Sequence, residues 1–413
     1  MVIAIENYQR INTYKFHPKH KLDIKTLRNS LYKDLLNYNK KNLLERLRTP
    51  NTLCFSTAAT PLFFMHSSIF NLALITQYLS KKVKSGSSNL SCIIIDTANL
   101  EQPVERKINL LGRDFHLPYK NKKCRLNPNN IPPPSKIDID KFNWNLISTA
   151  KSIMKLTKVK ALTNNKTSNL FAISSDILLL NNIIKFAQLI KKSSYAANNY
   201  QDFLENICIE TVRKLLPDTI IIPSKAMQNT NSIAYKKYGL NLWTTLKYPL
   251  PKYKYSNLIP AYMFCKNCNL NHNVTLKNHK LYYFCSNLNK EFQYTNDINL
   301  FPKHALTYAI EFLFYGFIPV TSKNYTADIE TCANSLLKKY YSTKYNMPII
   351  KAKRFKINGI FGSSEIPNAI LEGLDTTLLE KNIAFKKSIK TNLAKKYKIY
   401  ELQRYKETRN KHT

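Results

Sequence analysis

Residues 90–96 read LSCIIID, a short run rich in isoleucine that ends in a carboxylate. Apolar runs of about four to eight residues that follow a polar turn are typical of buried β-strands. The polar loop SKKVKSGSSN, residues 80–89, separates this run from an uncharged stretch at residues 51–80. The sequence therefore predicts a core strand in the N-terminal region, with Asp96 at its carboxyl end.

The uncharged stretch has the length of a membrane span but not its composition. Polar side chains interrupt its apolar part, residues 62–79, at His66, Ser67, Ser68, Asn71, Thr76 and Gln77. A span needs about 20 predominantly apolar residues, and each polar interruption is costly at membrane depth. We therefore predict a buried core helix here and no membrane span.

Apolar residues recur at helical spacing in several other segments. Residues 23–48 carry leucines on one side, which predicts an amphipathic helix with a basic outer face. The basic residues assigned to that face are Lys25, Arg28, Lys33, Lys40, Lys41 and Arg46. Residues 171–190, 202–216 and 304–315 are predicted to be helices as well.

Two proline-containing stretches divide the chain. Consecutive prolines in NPNNIPPPSK, residues 127–136, can continue neither a helix nor a central strand. The stretch YPLPKYKYSNLIP, residues 248–260, is extended, basic and aromatic. We therefore predict an α+β, helix-rich fold of two or three domains: a mixed α/β domain in residues 1–126, a helical domain in 136–247 and a C-terminal region in 255–413.

The charge balance indicates a polyanionic partner. The chain has 63 Lys and Arg residues against 26 Asp and Glu residues, a formal net charge of +37. An excess of this size calls for a polyanion or causes strong self-repulsion, and nucleic acid is the commonest such partner. Because 44% of the residues are hydrophobic and 12% aromatic, we expect a folded chain rather than a disordered one. An anionic membrane surface is the rival partner.

Composition also bears on the cellular setting. Five of the eight cysteines are scattered singly, and a chain of 413 residues needs no disulfide framework, so we expect an intracellular, reducing compartment. The N-terminal sequence shows no secretory pattern. Abundant Lys, Asn, Ile and Tyr beside only 7 Gly is typical of an AT-rich genome, such as that of a large DNA virus, a plasmid or an organelle. The nucleus or cytoplasm of a host cell and an organelle all stay open.

The sharpest local signal is a run of possible metal ligands: Cys265, Cys268, His272, His279 and Cys285. Structural zinc takes four nitrogen or sulfur ligands in a tetrahedron, and a CxxC pair can bind one ion from a tight turn. A second CxxC is missing, so the remaining ligands stay open among the two histidines and the third cysteine. We predict one structural Zn²⁺ in a small zinc-ribbon or knuckle-like module at residues 260–293; the alternative is a chance cluster of thiols.

Lysine and tyrosine are interleaved in two places. The first run is Lys252, Tyr253, Lys254 and Tyr255, and the second begins with Lys338, Lys339 and Tyr340. Lysines bind phosphates and tyrosines stack on bases, so such runs are typical of contacts with single strands or RNA loops. The alternative is that both residue types are simply abundant in this chain.

A basic tail covers residues 381–413. Apolar residues recur there every four positions, which predicts a helix with one docking face. The remaining faces are predicted to contact phosphates through Lys386, Lys387, Lys390, Lys395, Lys396, Lys398 and Arg404.

Three carboxylates are candidates for catalysis. Asp96 ends a predicted strand, and Asp138 and Asp140 form a DxD pattern beyond the prolines. Two-metal enzymes hold their cations with carboxylates. A lone DxD is common, however, so we do not predict a catalytic site.

Three functions follow from these patterns. The first is a nucleic-acid-binding, non-catalytic subunit of a transcription or replication apparatus, with protein subunits as further partners. The second is a structural protein of a ribosome or another ribonucleoprotein, encoded in an organelle. The third is a primase- or nucleotidyltransferase-like enzyme that uses the three aspartates.

Overall fold

The structure is a computed structural model. It describes residues 5–6, 11–61, 67–83, 89–96, 107–110, 113–117, 128, 131–163, 169–227, 230, 258–265, 267, 270–278, 280–285, 288–293, 300–302, 304–322, 326–341 and 347–352. Those residues fall into two compact units. The first draws on Met1–Thr60, Asn71–Gln102 and Asp218–Arg354, and the second on Pro61–Phe70, Pro103–Pro217 and Phe355–Thr413.

Helices and strands alternate along the chain. The helices are α1 (Pro18–Leu35), α2 (Lys41–Leu47), α3 (Ser67–Lys82), α4 (Lys136–Thr163), α5 (Asn169–Tyr195), α6 (Tyr200–Leu215), α7 (His304–Tyr315) and α8 (Thr326–Tyr341). The strands are β1 (Ile5–Glu6), β2 (Cys54–Ala59), β3 (Leu90–Ile95), β4 (Lys107–Leu110), β5 (Arg113–His116), β6 (Thr219–Pro223), β7 (Leu258–Cys265), β8 (Leu270–Lys277), β9 (Lys280–Cys285), β10 (Lys290–Gln293), β11 (Leu300–Pro302), β12 (Phe317–Ser322) and β13 (Ile350–Ala352).

The described residues of the first unit form a six-stranded sheet in the order β1-β13-β12-β2-β3-β6. Neighbouring strands pair in parallel, except that β1 is antiparallel to β13. Strands β3 and β6 are buried at every residue. Parallel strands covered on both faces need such continuous apolar runs. The predicted strand at residues 90–96 is therefore confirmed, and it lies in the interior of the sheet.

The chain order reverses in the middle of this sheet. From β2 the chain passes through α3 to β3 on one side, and from β12 it passes through α8 to β13 on the other. Strands β2 and β12 are neighbours, so their onward connections run in opposite directions. This is the arrangement of doubly wound α/β sheets. The mixed, helix-rich composition predicted from the sequence is confirmed, but the parallel sheet was not predicted.

The predicted helix at residues 23–48 is divided into α1 and α2. Between them, Asn39 pairs with the backbone of the edge strand β6: its Nδ2 donates to Ile221 O at 2.7 Å, and Ile221 N donates to its Oδ1 at 2.7 Å. These bonds satisfy backbone groups that the edge of a sheet leaves unpaired. The break in the helix therefore anchors α1 and α2 to the sheet.

Assigning Arg28 to a basic outer face was wrong. Its side chain is 0% exposed, and its guanidinium lies 6.0 Å from the ring centroid of Phe317. Nε donates to Tyr315 O at 2.7 Å, and Nη1 donates to the carbonyls of Leu47, Thr49 and Thr52 at 3.3, 3.1 and 3.0 Å. The cation thus satisfies carbonyls at the C-terminal ends of α7 and α2, where helix dipoles favour positive charge.

Helix α7 meets β12 through a one-residue turn at Gly316. Gly316 has a φ of +64°, and an added Cβ would lie 2.6 Å from Ile24 Cδ1. Only glycine fits this close approach of the turn to α1. Nearby, burial lowers the pKa of His20 to about 4, so its neutral ring can donate from Nε2 to the carbonyls of Phe312 and Leu313 at 3.2 and 3.0 Å.

The uncharged stretch contains two different elements. Its first part is strand β2, which was not predicted, and its second part is α3, the predicted core helix. Thr76 in α3 contacts Ser91 in β3 with 2.6 Å between their hydroxyl oxygens, so this helix packs on the sheet. No helix in the described part of the chain is long and apolar enough to cross a membrane.

The second unit contains α4, α5, α6 and the hairpin β4–β5. Ser135 and Asp138 form a reciprocal cap at the start of α4, and Asn199 accepts from Asp202 N at 2.8 Å at the start of α6. Asn143 links α4 to α5 by donating to Ala187 O at 3.0 Å. The helices predicted at residues 171–190 and 202–216 are confirmed within α5 and α6, and the one at 304–315 matches α7.

Candidate metal centre and nucleic-acid interface

Three predicted metal ligands meet on a second, antiparallel sheet in the first unit. Its order is β10-β9-β8-β7-β11. His272 on β8 pairs with Met263 on β7, and Cys265 lies two residues further along β7, on the same face. Val274 on β8 pairs with Tyr283 on β9, and the same register places Cys285 opposite His272. Strand pairing therefore brings Cys265, His272 and Cys285 to one face of three adjacent strands.

The donor atoms of these residues are close enough to share one ion. They all lie within 4.8 Å of one another, and both cysteines are 0% exposed. Two thiolates bound at about 2.3 Å in a tetrahedral zinc site lie about 3.8 Å apart, so little movement would close the site. Two sulfurs and one imidazole nitrogen form three of the four ligands that a structural site uses.

Aromatic stacking orients the histidine of this group. The His272 ring stacks on Tyr283 with centroids 5.8 Å apart, and Tyr283 stacks on Phe292 with centroids 5.4 Å apart. Tyr283 and Phe292 also pack against the two buried cysteines. Packing that fixes a ligand's ring strengthens a metal site, because less freedom is lost when the ion binds.

The other two predicted ligands, Cys268 and His279, lie outside the described residues. Cys268 follows Cys265 by three positions and precedes the start of β8. His279 lies between Lys277 at the end of β8 and Lys280 at the start of β9. The described residues thus contain three members of the predicted ligand set, and their donor atoms lie close together. Cys268 and His279 both remain candidates for the fourth ligand.

The opposite side of the same sheet carries aromatic and basic side chains. Alternate residues of a strand point to opposite faces, so the neighbours of the ligands form what we call the open face. It includes Tyr262, Asn271, Asn273, Thr275, Lys277, Lys280, Tyr282, Phe284 and Glu291, of which Asn271 is buried. The Phe284 side chain is 50% exposed, and Tyr282 is partly exposed two positions away on the same strand. Two aromatic residues thus share one face, and their Cα atoms lie about 6.6 Å apart along the strand.

Two lysines adjoin these rings. Lys277 and Lys280 are exposed and occupy directly opposite positions on β8 and β9. Like charges in opposite positions are mutually destabilising, and the carboxylate of Glu291 beside Lys277 offsets part of that cost. Lys277 Nζ lies 5.8 Å from the Tyr282 ring centroid and pairs with exposed Glu291 at 2.6 Å. The open face therefore combines ring surfaces with two lysines, one of which is paired with a carboxylate.

Sequence reasoning missed the open face. In KNHKLYYFCSN, residues 277–287, the aromatic residues alternate with ligands and core residues, so only the strand register separates the two faces. Period-two alternation around Cys285 is the signal that could have placed Tyr282 and Phe284 opposite the metal ligands.

The structure describes only one of the basic segments identified in the sequence, the run at residues 338–340. Lys338, Lys339 and Tyr340 lie in α8; Lys338 is exposed, whereas burial raises the pKa of half-buried Tyr340 to about 12. The next residue, Tyr341, donates to Asp23 Oδ2 at 2.6 Å. Residues 252–255 and the basic tail at 381–413 lie outside the described residues.

The candidate catalytic carboxylates are placed apart from one another along the chain. Asp138 lies in the first turn of α4, and Asp140 lies two positions further on and points to a different side of the helix. Asp138 bonds to Ser135, and Asp140 pairs with Lys191 at 2.9 Å. Asp96 belongs to the first unit and Asp138 and Asp140 to the second. Each side chain of the DxD pattern therefore has a partner within the protein.

Comparison with known proteins gives no identification. No model of a known protein family matches the chain, and no curated protein sequence matches it either.

Proposed function

We propose that this chain is a nucleic-acid-binding protein that holds single-stranded DNA or RNA on the open face of its antiparallel sheet. The observation that carries the proposal is the exposed Phe284 beside Tyr282, next to the opposed pair Lys277 and Lys280. Sheets that bind single strands stack bases on exposed aromatic residues and hold the backbone with basic ones. The net charge of +37 supports the same partner.

The metal group lies on the other side of the same sheet, where a bound ion would stabilise the strands of the open face. We propose that Cys265, His272 and Cys285 bind one structural zinc ion together with a fourth ligand. Two buried sulfurs and one half-buried imidazole nitrogen suit zinc, and structural zinc stabilises small sheets that have little core of their own. By joining β7, β8 and β9, the ion would keep the aromatic rings of the open face at a fixed spacing.

We further propose an accessory role in a transcription or replication apparatus rather than catalysis. The placement of Asp138 and Asp140 in separate helical contacts supports this choice over a primase- or nucleotidyltransferase-like enzyme. A structural role in a ribonucleoprotein is the second candidate, favoured by the basic tail. Co-purification distinguishes the two: polymerase subunits support the first, and ribosomal RNA supports the second.

Phe284→Ala is expected to weaken binding of a mixed-sequence single-stranded oligonucleotide by about 1–3 kcal/mol, roughly 5- to 150-fold in Kd, because one stacked base loses its platform. Fluorescence anisotropy of the labelled oligonucleotide measures the effect. Since the side chain is 50% exposed, its removal should leave the fold intact.

Trp144→Ala is the matched control, because Trp144 is an exposed aromatic residue, 71% accessible, on α4 of the second unit. It should bind the oligonucleotide as the unmodified protein does. If the Phe284→Ala variant and the unmodified protein bind the oligonucleotide with equal affinity, the open face is not the binding surface.

A further inference from the structure

The second unit carries large apolar side chains on the surface of two packed helices. On α4, Trp144 is 71% exposed and Ile137 is 66% exposed, and on α5, Tyr195 is 57% exposed. In the described part of the chain, no large apolar side chain is more exposed than Trp144. Single exposed apolar residues are common, whereas a group of them on one face with polar residues around it marks a protein interaction site.

Two contacts define how α4 packs on α5. Lys191 Nζ pairs with Asp140 at 2.9 Å, and Asn143 Nδ2 donates to Ala187 O at 3.0 Å. Residue numbers rise along α4 as they fall along α5, so the first half of α4 runs antiparallel to the C-terminal half of α5.

The three exposed side chains flank the ion pair between these helices. Ile137 lies three positions before Asp140 and Trp144 four positions after it, so they share one side of α4. On α5, Tyr195 lies four positions after Lys191, whose Nζ is 6.0 Å from the Tyr195 ring centroid. Because Asp140 and Lys191 are paired, Ile137, Trp144 and Tyr195 belong to one surface, which we call the apolar patch.

A surface depression adjoins Tyr195. Its volume is about 480 Å³, and it is lined by Gln188, Lys191, Lys192, Tyr195 and Ala196. Pockets that hold ligands have volumes of about 300–1,000 Å³, so a large side chain of a partner can enter this depression.

Positive charge predominates around the apolar patch. Lys141 on α4 and Lys185 and Lys192 on α5 are exposed. Burial lowers the pKa of Lys214 on α6, and the nearby charge of Lys185 lowers it further, so two cations lie close together at this side of α5. Carboxylates of a partner would complement these lysines.

We propose that the apolar patch is a docking site for an acidic amphipathic helix of another protein. Tryptophan and tyrosine are enriched among the residues that dominate binding energy at protein interfaces. Ile137 and Trp144 are seven positions apart, about 10.5 Å along α4, and two turns of a partner helix place its apolar anchors at the same spacing. Acidic residues beside those anchors would pair with the exposed lysines.

Two other occupants fit the apolar patch less well. For nucleic acid, Ile137 offers no ring on which a base can stack, and Lys191 is already paired with Asp140. A second copy of this chain has a net charge of +37 as well, so its approach to the lysines around the patch is repulsive.

The test uses the full chain and a fluorescein-labelled synthetic peptide of about 18 residues, long enough to form a helix, with leucines on one face and glutamates on the others. A peptide with lysine in place of every glutamate is its matched control. In fluorescence anisotropy we expect the acidic peptide to bind, more weakly as salt is raised, and the lysine peptide to bind at least about 10-fold more weakly.

Trp144→Ala is expected to weaken binding of the acidic peptide by about 10-fold and Tyr195→Ala by several-fold, because each removes an anchor of the patch. Both side chains are exposed, so the Tm should stay unchanged. Leu22→Ala is the matched control, because Leu22 is 67% exposed on α1 of the first unit. This variant should bind the peptide as the unmodified chain does.

No binding of the acidic peptide, equal binding of the lysine peptide, or equal weakening by Trp144→Ala and Leu22→Ala would overturn the proposal. If Trp144→Ala weakens oligonucleotide binding instead, the patch is a nucleic-acid surface. If sedimentation shows a dimer that Trp144→Ala abolishes, the occupant is a second copy. Peptide binding does not depend on the open face, because the two surfaces belong to different units.

Discussion

Replacing Cys265 and Cys285 together by serine is expected to remove the bound zinc and to unfold the antiparallel sheet, while the parallel sheet stays folded. Apparent binding free energies of structural zinc reach about 10–16 kcal/mol in zinc-finger peptides, so this is the largest effect that we expect from any substitution. Elemental analysis should give about one zinc per unmodified chain and none in the double variant. Hydrogen exchange should show lost protection in strands β7 to β10, and a chelator should reproduce that loss in the unmodified protein.

Cys332→Ser provides the matched control. Cys332 is also a buried free thiol, but it lies on α8 and is not a member of the metal group. This variant should keep its zinc, even if the buried hydroxyl lowers the Tm. The proposal of zinc fails if the chain, purified without chelator, holds far less than one zinc ion, or if the double variant retains it.

The second large effect is expected at Arg28. Arg28→Met should destabilise the chain by about 3–5 kcal/mol, because the carbonyls of Tyr315, Leu47, Thr49 and Thr52 lose their donor inside the protein. Arg28→Lys should recover little of this loss, since one ammonium group cannot reproduce the fork of the guanidinium. Urea denaturation followed by circular dichroism measures the change in the free energy of unfolding.

Arg48→Met is the control for the loss of one arginine. Arg48 is exposed; it pairs with Glu45 at 3.1 Å and lies 4.9 Å from the Tyr32 ring centroid. Exposed pairs of this kind contribute about 0–1 kcal/mol. If Arg28→Met and Arg48→Met destabilise the chain equally, the buried guanidinium does not hold α1, α7 and the start of β2 together.

Local patterns predicted the elements that have one strong periodic signal. The run of isoleucines in β3 and the apolar spacing in α5, α6 and α7 are examples. Strand β2, with the sequence CFSTAA, lacks such a signal because serine, threonine and alanine are not strongly apolar. Its place in the sheet comes from the apolar strand β3 beside it, which no local pattern reveals.

The parallel sheet itself depends on pairings between distant parts of the chain. Strand β2 ends at Ala59, and its neighbour β12 begins at Phe317. Sequence periodicity reports which residues are buried but not which strands are neighbours. The prediction that Arg28 is exposed was wrong for a related reason. A basic residue on a leucine-rich helix is usually exposed, and only contacts such as the carbonyls of Leu47 and Tyr315 make its burial favourable.

The metal group was predictable because its ligands are close in the sequence. Cys265, His272 and Cys285 lie on three consecutive antiparallel strands, so short turns bring them together. The open face was not predicted, although it uses the same strands. Phe284 and Tyr282 differ from Tyr283 only in the face to which they point, and that depends on the strand register.

Photo-cross-linking tests the central claim most directly. The unmodified chain is bound to a single-stranded oligonucleotide, irradiated and digested with trypsin, and the adducts are located by mass spectrometry. The open face predicts an adduct on the peptide at residues 281–290, at Tyr282 or Phe284, that disappears as salt is raised and the lysines release the backbone. Adducts confined to other peptides, or none at all under conditions where the oligonucleotide binds, would contradict nucleic-acid binding on this face.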